Sequence, residues 1–90
     1  MEDERVLTIV NQRGLHARAS AKFVQQAEEF DAVIEVNKDG TKVIGTSIMG
    51  LMMLAAAKGD KITINAEGSD SGKALDALEK LIAAGFHEDD

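Results

Sequence analysis

"AVIEVNKDGTKVIG", Ala32–Gly45, reads as two short strands folded back on each other. Val33, Ile34 and Val36 stand before the break, and Val43 and Ile44 after it. β-branched residues favour the pleated, half-buried surface of a sheet. Between the runs, Asp39-Gly40 suits a two-residue turn with positive φ. The second and third strands of the chain are therefore expected at Ala32–Val36 and Thr41–Gly45, joined as a hairpin. Upstream, "VLTIV", Val6–Val10, reads as a first strand, and "HARASAKFVQQAEEF", His16–Phe30, as a helix. Phe23, Ala27 and Phe30 fall on one side of that helix, with Gln25, Gln26 and Glu29 on the other. Downstream, "TSIMGLMML", Thr46–Leu54, reads as a short helix opened by Ser47. A turn at Lys58–Asp60 leads into a fourth strand, Lys61–Ala66. Leu75, Leu78, Leu81 and Ile82 recur at helical spacing and predict a long last helix. The order β-α-β-β-α-β-α predicts an α+β fold, an open-faced β-sandwich in which a four-stranded antiparallel sheet carries its helices on one face. A ferredoxin-like arrangement is compatible with the same order.

The 90 residues are read as a single domain, 1–90. Hydrophobic residues make up 44%, and the only aromatics are three phenylalanines, so the core is aliphatic. There is no cysteine, which excludes disulfides, zinc–thiolate sites and thiol nucleophiles and permits a reducing, cytoplasmic setting. The start, "MEDERVLTIV", is acidic and unlike a signal peptide. The longest apolar run, Leu51–Ala57, is too short to span a membrane. Net charge is −6, from 16 acids against 10 bases, which argues against a nucleic-acid partner. The acids crowd both ends, "MEDE" and "HEDD", and read as solubilising termini. Against this background Arg13, Arg18 and Lys22 bracket His16 with no acid between them, a patch that suits an anion or an acidic partner.

His16 falls at the start of the first helix. The first amides of a helix lack internal partners, and the dipole adds positive charge there. The N–H groups of Ala17, Arg18 and Ala19 thus form an expected anion site. The same field favours neutral imidazole, with a ring nitrogen free as a nucleophile. Arg18 can neutralise a phosphoryl group on that nitrogen, and Gly14 allows a tight turn before it and keeps bulk away from the ring. The bland alternative is a histidine that only caps the helix. No metal site and no cofactor is expected. His87 reads as solvated, with His87–Glu88–Asp89 as a remote metal-binding alternative. Ser47 is a favoured N-cap type. Leu51 and Leu54 read as core, which leaves methionines outward on a helix this short. Flexible methionines suit weak binding to several partners.

"GLHARASAKFV" at 14–24, "SIMGLMML" at 47–54 and "AAKGDKITINAEG" at 56–68 together resemble the HPr phosphocarriers of the phosphoenolpyruvate-dependent phosphotransferase system. The likeness runs from Val6 to about Ile82. It implies a carrier and not an enzyme: a phosphoryl group comes from enzyme I, rests on Nδ1 of His16 with support from Arg18, and leaves to an enzyme IIA-type acceptor. It also implies Ser47 as a regulatory phosphorylation site for HPr kinase/phosphorylase, and Ile48, Met49 and Met52 as the patch that docks partners. A monomer is expected. Ala19 stands where the family pattern has proline, which is tolerated in a first helical turn for want of a bonded N–H. Alanine restores one amide beside the anion site. The "HARAS" form resembles a branch associated with nitrogen-related or regulatory phosphotransfer. A regulatory protein–protein module of a nitrogen or carbon phosphorelay is therefore the alternative to sugar transport. Arg13 is the other departure, since many relatives have a small polar residue there.

Overall fold

A computed structural model describes residues 2–88; Met1, Asp89 and Asp90 lie outside the described residues, and with Asp89 goes part of the His87–Glu88–Asp89 alternative. The elements are β1 (Glu2–Thr8), α1 (Ala17–Ala27), β2 (Val33–Lys38), β3 (Thr41–Ile44), α2 (Ile48–Met53), β4 (Lys61–Glu67) and α3 (Ser71–Ala83), followed by a 3₁₀ turn at Gly85–His87. The expected order is the observed one. The strands form one antiparallel sheet in spatial order β1-β4-β2-β3, so the strand last in sequence lies inside.

The hairpin between β2 and β3 turns where its sequence predicts. Asp39 has φ 52° and Gly40 φ 85°, the double positive φ of a tight two-residue turn. The Gly40 amide donates to Asn37 Oδ1 at 3.2 Å. Alternation then decides the two faces of the sheet. Ile34, Val36, Ile62, Ile64 and Ala66 are buried beneath the helices, whereas Val6 and Val33 lie exposed on the open face. Phe23, Val24 and Ala27 of α1, Leu51 of α2, and Leu75, Leu78, Leu81 and Ile82 of α3 complete the core, and all but Val24 are expected there from the sequence.

The first strand differs from its expected span of Val6–Val10. It runs from Glu2 to Thr8, and its acidic start pairs with the far end of β4, Asp3 opposite Ala66 and Glu4 opposite Asn65. Arg5 explains how so polar a stretch joins the sheet. Its side chain turns to the helical layer, where Nη1 meets Asp76 Oδ1 and Glu79 Oε1 of α3, each at 2.8 Å. Val10 has left the strand and is exposed.

α2 is short and depends on its cap. The Gly50 amide donates to Ser47 Oγ at 2.9 Å, which satisfies one of the orphan first-turn amides. Ser47→Ala is expected to lower stability by about 1 kcal/mol. For a domain of this size that is a fall in Tm of roughly 4–8 °C, readable in a thermal melt. An unchanged Tm would show that α2 holds without the cap.

Candidate functional site

His16 is the N-cap residue of α1, with φ −73° and ψ −179°, yet its side chain makes no capping hydrogen bond. The capping alternative therefore fails. The loop before it is held from two directions. Gly14 has φ +63°, and a Cβ there would come within 2.2 Å of the Ala56 carbonyl oxygen. The next amide, Leu15, donates to that same oxygen at 2.9 Å. The close approach that requires glycine is thus to the segment after α2, rather than to the imidazole. Behind the loop, Ser20 is buried and its Oγ donates to the Leu15 carbonyl at 3.1 Å. Ala19 is buried as well. Arg13 and Arg18 are exposed, and Arg18, Lys22, His87 and Glu88 line a cleft of about 310 Å³. Ala17, Arg18 and Ala19 supply the first amides of α1, as expected.

One sequence reading is overturned. The acids of "HEDD" were expected to be solubilising, with none near His16. Instead the Glu88 carboxylate reaches the imidazole: Oε2 accepts from His16 Nε2, and Oε1 accepts from Asn11 Nδ2 at 3.0 Å. The Glu88 side chain is 3% exposed and that of His16 17%. The chain gets there by a left-handed reversal after α3. Gly85, Phe86 and His87 have φ of 62°, 56° and 59°. Such a conformation costs a non-glycine residue about 1 kcal/mol or more. Full burial of the Phe86 ring, worth about 2–3 kcal/mol, offsets that cost. Lys22 Nζ then clamps the turn by donating to the Phe86 carbonyl at 2.6 Å. His87 is exposed, as its sequence reading had it.

Burial pushes the Glu88 carboxyl up, but the hydrogen bonds from Asn11 and His16 and the charges of His16 and Arg18 outweigh it and hold the group below its ordinary 4.5. A carboxylate with a depressed folded-state pKa stabilises the native protein fully above its unfolded value and progressively less below it. The tail contact is therefore expected to be complete above pH 4.5 and to be lost as pH falls through the lower native value. A carbon-detected NMR titration of Glu88 checks this; a midpoint at or above 4.5 contradicts it.

On α2, Leu51 is buried, as is Leu54 just after it, while Ile48 is 40%, Met49 69%, Met52 39% and Met53 75% exposed. α2 packs beside α1. Sequence reasoning left Met53, the most exposed of the four, out of the expected docking patch. It also missed Asn11 and Glu88. The available signal for the tail was Phe86, an apolar ring standing after Gly85 and just ahead of the polar residues 87–90, which marks an anchor. No helix among the described residues is long and apolar enough to cross a membrane.

A largely buried histidine thus stands at the start of a helix on an open-faced sandwich, and its partner Glu88 lines a cleft with Arg18, Lys22 and His87. The family model for the phosphotransferase-system HPr component phosphorylation site matches residues 3–84, and the chain belongs to that family of phosphocarrier proteins. A phosphocarrier protein HPr of Neisseria meningitidis serogroup B is 50% identical over 82 residues, 91% of this chain and 92% of its relative. A phosphocarrier protein NPr of Shewanella violacea is 44% identical over 94% of this chain and 93% of its own length. Among solved structures, HPr-C-His from Thermoanaerobacter tengcongensis superposes with a TM-score of 0.92 at 44% identity, covering 97% of this chain and 98% of that one.

Proposed function

We propose that His16 is the residue that carries the phosphoryl group, on Nδ1, taking it from an enzyme I-type phosphohistidine and yielding it to an enzyme IIA-type acceptor. The observation that carries this reading is a helix-start histidine whose ring is not spent on capping and whose Nε2, not Nδ1, is engaged by Glu88. Arg18 and the amides of Ala17, Arg18 and Ala19 stabilise the added negative charge. Ile48, Met49 and Met52, exposed on the helix that packs beside α1, are the docking surface. Incubation with enzyme I and phosphoenolpyruvate, followed by mass measurement, tests the reading. Gain of one acid-labile phosphoryl group is expected, and no gain overturns it.

Ser47 fits a regulatory role in the same proposal. A phosphate on its hydroxyl would sit at the amide end of α2, which tolerates it, and would place negative charge beside the apolar docking face. A second reading, a regulatory module of a nitrogen-type phosphorelay, draws support from the likeness to an NPr and from Ala19 in the motif. Comparing phosphorylation by sugar-type and nitrogen-type enzyme I separates the two.

A further inference from the structure

We propose that Glu88 is a positioning residue for His16, itself aimed by Asn11, and that this relay sets which ring nitrogen carries the proton. The inference rests on His16 as the phosphoryl carrier. Glu88 presents only acceptor oxygens, so Nε2 is the protonated nitrogen and Nδ1 keeps its lone pair. The residues that hold Glu88 in place are built for it. Asn11 is buried, and its Nδ2 donates both to Glu88 Oε1 at 3.0 Å and to the Gly14 carbonyl at 2.9 Å. The second bond prevents the amide from flipping, because Oδ1 would then face another oxygen. Asn11 Oδ1 is buried with no partner among the described residues. A buried orphan acceptor is costly and uncommon. Here it accompanies an amide whose donor side is committed to aiming Glu88.

The relay also bears on the transfer step. The lone pair of neutral His16 Nδ1 attacks phosphorus as the P–N bond of the donor phosphohistidine breaks, and that bond's electron pair returns to the donor ring. The His16 ring keeps its Nε2 proton and becomes a cationic N-phosphoimidazolium. Glu88 faces that proton and stabilises the positive charge as it forms, as a buried carboxylate does for a catalytic imidazole. Passing the phosphoryl group on reverses the charge change.

The asymmetry of the Asn11 bond makes a sharp test. In Glu88→Gln, the amide oxygen stays with Asn11 Nδ2, so the new NH₂ meets Nε2 and forces the proton to Nδ1. Glu88→Ala merely frees the ring. ¹⁵N NMR of the unphosphorylated full chain is expected to show the Nε2–H form in the wild type, a mixture in Glu88→Ala and the Nδ1–H form in Glu88→Gln. The rate of phosphoryl uptake from enzyme I is expected to fall about tenfold in Glu88→Ala and about a hundredfold or more in Glu88→Gln. A tautomer indifferent to both changes, or a glutamine variant as fast as the alanine one, overturns the proposal. So does faster uptake on removing Glu88, which would make the tail an obstruction. A wild type that shows the Nε2–H form but takes up no phosphoryl group would sink the carrier reading and leave the tautomer assignment standing.

Discussion

His16→Ala is expected to abolish phosphoryl uptake while leaving the fold intact. The chain has no cysteine, and its other histidine, His87, stands exposed on the wall of the cleft without the hydrogen-bonded setting of His16. Removing the imidazole removes the one ring that Glu88 orients. The structural cost is small, because the side chain contributes no cap to α1 and its burial is incomplete. The loss of the Glu88 contact is confined to the tail. A stability change within about 1 kcal/mol is expected, read as a shift in Tm, together with complete absence of the acid-labile mass gain. Persistence of that gain in the variant would place the phosphoryl group elsewhere, with His87 the first residue to examine.

Gly14→Ala is expected to be the most destabilising single methyl addition near the site. Its cost has two sources. The residue sits at φ +63°, in the left-handed region, and the new Cβ would lie 2.2 Å from Ala56 O and 3.0 Å from Ala57 Cα. These are backbone atoms and cannot swing aside. Ala56 O is further tied by its bond from the Leu15 amide, so relief of the clash breaks the link between the His16 loop and the segment after α2. We expect a loss of about 3 kcal/mol, a fall in Tm of roughly 12–24 °C. Gly40→Ala is the internal control. Gly40 has φ +85° but nothing within 4 Å of its Cβ position. There only the conformational cost of about 1 kcal/mol applies. Equal losses at the two sites would show that the close approach to Ala56 carries no weight.

Much of the fold was legible in the chain because it is written in local terms. Runs of β-branched residues marked the strands, and spacings of three to four marked the first and last helices. Asp39-Gly40 marked the hairpin, and Ser47 the start of α2. The first strand was placed four residues late at its start. The expected span began at the first β-branched run, whereas the strand begins in acidic residues whose place in the sheet depends on α3. Arg5 is tolerable on the helical side only because Asp76 and Glu79 arrive from more than seventy residues away.

The site divides in the same manner. Sequence alone determined that His16 opens a helix, that its near neighbours are bases, and that an apolar methionine-bearing helix accompanies it, since each of these is a property of a few adjacent residues. Only the tertiary structure decided the immediate surroundings of the imidazole. Glu88 lies 72 residues from His16 and 77 from Asn11, and no local pattern links them. Their meeting depends on three consecutive left-handed residues, a buried Phe86 and a lysine clamp from α1. An acid that reads as a solvated tail becomes the group that orients the histidine because the cost of that reversal is met by burial of an apolar ring, a balance that exists only once the core has formed.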